Sequence, residues 1–139
     1  MSAQIRSHLN ELKTLVLSHP RVHGVSIRRE EVTVARGYLR MRLVLQSQDI
    51  VEVFVYLVDL GDGVHLQDYS LHWQHGDGAL VKRWDTAPHH SELANFPSHT
   101  HRATGQVESA ATLNWDSFLT LLQRDILEKD VIAPPTERT

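Results

Sequence analysis

Apolar residues recur near the start of the chain at intervals of four, three and four: Ile5, Leu9, Leu12 and Val16. That spacing places all four on one side of a 3.6-residue helix and predicts a helix over Ser2 to Leu17. His19-Pro20 should end it, because the residue before a proline is pushed out of the α region. From Val22 the period drops towards two. Val32 and Val34 alternate with Thr33 and Ala35, and Gly37 reads as a turn or bulge. Leu39, Met41, Leu43 and Leu45 then alternate with Tyr38, Arg40, Arg42 and Val44. This is a strand with one apolar face and, for much of its length, one basic face. Val51, Val53, Val55 and Leu57 form one face of the next strand. Its other face, Ile50, Glu52, Phe54, Tyr56 and Val58, is also mostly apolar, which predicts a central strand covered on both sides.

A hairpin follows the loop Gly61-Asp62-Gly63. Tyr69 to Gln74 and Ala79 to Asp85 flank His75-Gly76-Asp77-Gly78, a turn rich in residues that tolerate positive φ. Pairing Gln74 with Ala79 puts Tyr69, Leu71 and Trp73 on one face with Leu80, Lys82 and Trp84. Asp68, Ser70 and His72 then share the opposite face with Val81, Arg83 and Asp85. Thr86 to Gln106, with Pro88, Pro97 and Gly105, shows no period and reads as an irregular loop of unusual length, the kind that is usually functional or mobile. Asn114 suits a helix N-cap, and Phe118, Leu121, Leu122 and Ile126 carry an apolar face as far as Lys129. The expected fold class is α+β: an antiparallel β-meander of about five strands, with an N-terminal and a C-terminal helix packed on one face.

The length of 139 residues fits a single domain over residues 1–139, with Pro134 to Thr139 as a frayed tail. There is no Cys, which excludes disulfides, thiolate nucleophiles and Cys-ligated metals. No apolar run reaches the ~18 residues of a membrane span, and the N-terminus does not read as a signal peptide, so a cytoplasmic protein is expected. The net charge of -3 argues against a wholly basic nucleic-acid-binding shell but hides segregation. Arg21, Arg28, Arg29, Arg36, Arg40 and Arg42 fall in one block, with only Glu30 and Glu31 against them. Leu43 to Ser70 holds no Lys or Arg. Such blocks fit cross-strand charge pairing, or else a polarised surface for a polyanion.

Ten His is the one unusual count. His89 and His90 are adjacent, and His99 and His101 lie two apart in the same Pro-bounded stretch. Imidazole titrates at about 6.5 and exchanges protons near neutrality. Two such groups can serve as base and acid, one deprotonating a nucleophile and one protonating a leaving group. RNA supplies both, through its 2′-hydroxyl and 5′-oxygen, and Arg83 would stabilise charge on phosphorus while Asp85 orients an imidazole. The candidate catalytic residues are thus Arg83, Asp85, His89, His90, His99 and His101, with His72, Trp84 and Arg102 as substrate contacts. No metal or other cofactor is required. The same histidines also fit a zinc site or a loop stapled by imidazole–carbonyl hydrogen bonds. Arg83 and Asp85 also fit a surface ion pair, and Trp73 and Trp84, which share a face with Leu71 and Leu80, also read as core.

Three segments together resemble a known family. His72-Trp73-Gln74, Arg83-Trp84-Asp85-x-Ala87-Pro88-His89-His90 and Phe96-Pro97-Ser98-His99-Thr100-His101 are similar to the hairpin and His elements of the TumE-type toxins of bacterial and archaeal toxin–antitoxin modules. The match is dense over about residues 69–102. It departs at Ser98, where the family often has the first His of its second cluster. The resemblance implies a growth-inhibiting cytoplasmic toxin, neutralised by a cognate antitoxin that carries a helix-turn-helix domain. Ribonuclease chemistry is inferred from the residues themselves. The other reading is a non-catalytic binding protein whose His loop recognises a protein or nucleic acid. An edge strand of the meander would allow a homodimer.

Overall fold

The structure is a computed structural model that describes residues 3–86, 99–109 and 113–129. Helix α1 (Ala3–Ser18) leads into β1 (Val22–Val32), β2 (Arg36–Leu45), β3 (Ile50–Asp59), β4 (Val64–Gln74) and β5 (Leu80–Asp85). Two short strands follow, β6 (His99–Arg102) and β7 (Val107–Ser109). Helix α2 (Trp115–Thr120) runs on as a π-helical segment over Leu121–Leu127. The seven strands form one antiparallel sheet in sequential order, β1 to β7. The fold is α+β as expected, but with seven strands in place of about five. The stretch Thr86 to Gln106, read as irregular, contains β6. The tail from Pro134 lies outside the described residues.

The predicted helical face is the one the protein buries. Ile5, Leu9, Leu12 and Val16 are all fully shielded and pack on Leu39, Met41 and Leu43 of β2 and Val51, Val53 and Val55 of β3. The helix stops at His19-Pro20, as expected. Asn114 caps α2 with a reciprocal box: its side chain accepts from the Ser117 amide, and the Ser117 hydroxyl accepts from the Asn114 amide. Phe118 brings α2 onto the same side of the sheet, edge-on to Tyr69 at 5.7 Å. Trp115 joins the two helices by donating its indole N–H to Glu11 at 2.9 Å.

Gly37 is neither turn nor bulge. The turn lies just before it, at Thr33–Ala35, and Gly37 pairs with Val32 and Leu57 inside the sheet. Its missing side chain has a different reason. A Cβ there would run into Ile5 Cγ2, so the glycine lets α1 lie directly on β2.

The hairpin register also differs from the expected one. Gln74 pairs with Leu80, and a bulge at Val81 then sets Trp73 against Lys82, His72 against Arg83, Leu71 against Trp84 and Ser70 against Asp85. Beyond the bulge the slip is two residues, so every side chain from Lys82 to Asp85 keeps its predicted face. Two residues depart from the expected sorting: Leu80, now opposite Gln74, changes sides, and Val81, expected on the polar face, packs against the core at the bulge. Asp49 ties this hairpin to the neighbouring β2–β3 turn, accepting from Trp73 Nε1 at 2.9 Å and lying 3.3 Å from His75 Nδ1.

The second face of β3 is not covered by another layer of the fold among the described residues. Phe54 and Tyr56 are half-buried under arginine side chains instead. At the outer edge, β1 is bulged twice and carries Arg28, Arg29, Glu30 and Glu31, features that oppose pairing with another chain.

Gly37→Ala should destabilise the protein by about 1–3 kcal/mol, the usual range for overpacking a tight site. Urea denaturation would read this. In an Ile5→Ala background the added methyl should cost markedly less, because the clashing atom is gone. Simple additivity of the two changes would contradict the close approach of α1 to β2.

Candidate functional site

Alternation along β5 decides what each face receives. Lys82 and Trp84 point to the helices, while Arg83 and Asp85 point to the open face. The β5–β6 register sets Asp85 opposite His99 and Arg83 opposite His101. Two rows of side chains thereby cross the open face. One runs Arg40, Phe54, Ser70, Asp85, His99, and the other Arg42, Glu52, His72, Arg83, His101.

Asp85 is the hub of these rows and is only 2% exposed. Arg83 Nε donates to its Oδ2 at 2.6 Å, and His99 Nε2 lies 2.7 Å from its Oδ1. His101 Nε2 stands 3.9 Å from Oδ2, with its ring edge-on to that of His99 at 4.9 Å. The two imidazoles differ in access: His99 is 1% exposed, whereas the side chain of His101 keeps 24% of its surface in solvent. Arg83 Nη1 also reaches His72 Nδ1 at 3.3 Å, while His72 Nε2 lies 3.1 Å from Gln74 Oε1. Arginine only donates, so His72 accepts at Nδ1 and carries its proton on Nε2 towards the Gln74 oxygen.

Thr86 closes the end of the hairpin beside this cluster. Its hydroxyl accepts from the Tyr69 amide at 3.1 Å and lies 3.2 Å from Asp68 Oδ1. Two adjoining depressions of about 300 Å³ each open on this face. Arg40, Phe54, Ser70 and Arg83 line both; Asp85 belongs to one and His72 to the other.

Among the candidate residues, the fold brings together Arg83, Asp85, His99, His101 and His72. His89 and His90 lie outside the described residues. Trp84 and Arg102 are on the other face, where Trp84 is 5% exposed under Lys82 Nζ, 4.8 Å from its ring centroid, and Arg102 Nε donates to Glu108 at 2.8 Å. Burial beneath the helices and the neighbouring Arg102 charge hold the Lys82 ammonium below its ordinary pKa. Sequence reasoning missed Arg40, Ser70, Asp68 and Thr86. The signal for Arg40 was present, since the basic face of β2 is the open face of the sheet.

Could this cluster hold a cation? Asp85, His99 and His101 each offer a ligand atom, and these atoms lie within 4.8 Å of one another. The donor set of two imidazoles and a carboxylate suits zinc. Arg83, however, already occupies one oxygen of the carboxylate.

The sequence profile of the family described as Toxin TumE matches residues 12–131. The chain belongs to the TumE toxin family. It is therefore the toxin component of a toxin–antitoxin module, and an antitoxin is its implied partner. No curated protein and no solved structure matches the chain. Among the toxin's described residues, no helix is long and apolar enough to cross a membrane.

Asp85→Ala should destabilise the toxin by about 2–3 kcal/mol, below the figure for a fully buried pair because Arg83 reaches solvent. Thermal melts would show this, and the β6 amides should lose most of their hydrogen-exchange protection. Unchanged protection in β6 would mean that the carboxylate does not hold that strand.

Proposed function

We propose that the toxin acts by cleaving RNA at the open face of the sheet, without a metal ion, through proton transfer by imidazole. The observation that carries this reading is a solvent-reaching imidazole, His101, set directly across from Arg83 and beside the buried Asp85–His99 pair. In the proposed reaction a base removes the 2′-hydroxyl proton and the oxygen attacks the adjacent phosphorus. The 5′-oxygen leaves with a proton from an acid, giving a 2′,3′-cyclic phosphate and a 5′-hydroxyl. His101 supplies one of these transfers. The other falls to His89 or His90, which belong to the same family-like motif. Arg83, 37% exposed at its side chain and braced on Asp85, neutralises the charge that grows on phosphorus. His99 is too enclosed to meet a substrate, and its role is to position its neighbours.

The partner in this reading is a helix-turn-helix antitoxin encoded beside the toxin, and both would work in the cytoplasm. A homodimer through β1 finds no support in that bulged, charged edge. A second reading rests on the closeness of Asp85, His99 and His101: a zinc ion drawn between them would staple β5 to β6 in a non-catalytic binding protein.

Purified toxin incubated with RNA in EDTA should yield fragments ending in 2′,3′-cyclic phosphate. His101→Ala should slow their formation by about 10²–10⁴-fold with an unchanged melting temperature. Intact RNA at every pH from 5 to 8 would overturn the enzymatic reading. Stoichiometric zinc, with a melting temperature that falls on chelation, would establish the stapled alternative.

A further inference from the structure

The cations of the open face fall into two groups. Arg29 donates to Glu31 and Arg42 to Glu52, each at 2.6 Å, and Arg83 is held by Asp85. Arg36 and Arg40 are in no ion pair among the described residues. Arg29 also lies over a ring, 4.6 Å from the Tyr38 centroid, but Arg36 and Arg40 have aromatic partners alone. The Arg40 guanidinium stands 4.6 Å from the Phe54 centroid and donates to the Tyr38 hydroxyl at 3.2 Å. Arg36 stands 5.7 Å from the Tyr56 centroid and donates to the Tyr56 hydroxyl. A guanidinium stacked in this way keeps its charge unneutralised and its free N–H edges towards solvent, while the ring removes much of its freedom. Both arginines are exposed, at the first and fifth residues of β2, about 13 Å apart along the strand.

Position gives this pair its meaning. Arg40 begins the row that ends at Asp85 and His99, and it shares the walls of both depressions with Arg83. Four strand spacings separate the Arg40 and His99 backbones, about 19 Å, and the depressions occupy the interval. We infer that Arg36 and Arg40, held by Tyr56, Phe54 and Tyr38, form a phosphate-binding track that leads single-stranded RNA across the sheet to the Asp85–His99–His101 cluster. The inference rests on the ribonuclease reading and adds the substrate's path and form. Unpaired, pre-oriented arginines bind phosphate oxygens through charge-assisted hydrogen bonds. Shallow depressions between them receive splayed bases of a single strand, which stack on guanidinium planes and rings alike. A duplex would hide its bases and gain only the charge pairing.

The test separates binding from chemistry by using a fluorescent 2′-O-methyl RNA oligonucleotide, which lacks the attacking hydroxyl. Its affinity should fall at least tenfold in the Arg36→Ala/Arg40→Ala double variant. The slope of log K against log salt should become shallower by about 1.4, that is about 0.7 for each phosphate no longer neutralised. Phe54→Leu and Tyr56→Leu keep both charges, so they should weaken binding about two- to fivefold with the slope unchanged. Arg29→Ala, which removes a paired cation, should change little, and melting temperatures should stay close to wild type. An unaltered slope in the double variant would overturn the track even if the toxin cleaves RNA. Equal affinity for a duplex of the same length would overturn the single-strand assignment. A track-dependent slope in a toxin that leaves natural RNA intact would uphold the track while removing the cleavage reading. If the double variant binds RNA normally and loses only its antitoxin, the face belongs to the antitoxin and the inference fails.

Discussion

A carboxylate kept from water must find compensating charge, and Asp85 meets this demand in the middle of a sheet. Taking such a group to 2% exposure is unfavourable by several kcal/mol unless partners replace its hydration. Arg83 satisfies one oxygen from the same strand, and His99 approaches the other from β6. The two partners do different things. Arg83 lies two residues away and would be near Asp85 in any extended strand. His99 is distant in sequence, so its approach helps to fix where β6 docks. The register of β6 on β5 then places His101 opposite Arg83 without any further specification.

The sheet divides its labour by the two-residue period of a strand. The helix side receives the aliphatic rows and most of the tryptophan surface, and it accounts for nearly all of the fully buried side chains. The open side has no helix on it among the described residues, so its aromatic rings need another cover. Arginine serves here because its planar head stacks on a ring while its edges stay hydrated. The basic block from Arg21 to Arg42 thus resolves into two populations. Arg42 joins the cross-strand charge pairing expected of neighbouring strands and Arg29 pairs with Glu31 along its own strand, whereas Arg36 and Arg40 shield rings and keep their charge.

Most of the frame was legible because hydrophobic burial writes a period into the chain. Ile5, Leu9, Leu12 and Val16 advertised α1, and the alternation over Leu39–Leu45 and Val51–Leu57 advertised the central strands. The faces of the hairpin could be read from Lys82 to Asp85 even though its register could not. The turn is one residue longer than expected and the Val81 bulge adds one more, a slip of two that leaves alternation intact beyond it. The strand β6 was illegible for the converse reason. Its most enclosed residues are His99 and Thr100, buried at 1% and 6% exposure, and polar residues leave no hydrophobic period to find. What buries them is pairing with β5 and the charge of Asp85, neither of which is local in sequence. Gly37 misled in a third way: turns and close helix approaches both select glycine, and only the path of α1 distinguishes them.

The same cluster that hid β6 from sequence reasoning separates the roles of its histidines. Sequence treats His99 and His101 as equivalent, two residues apart in one motif. In an extended strand that spacing puts both on one face, but Asp85 lies opposite only the first. His99 is drawn in against the carboxylate and is sealed from solvent, while His101, set opposite Arg83, stays reachable. An imidazole that exchanges protons with a substrate must be reachable, and one that orders its surroundings must not wander. A cation competing for the cluster would need carboxylate lone pairs that Arg83 already draws on, and it would sit close to that positive charge. Of the groups around Asp85, His101 and Arg83 are the two that keep side-chain surface in solvent, while His99 and the carboxylate itself are enclosed.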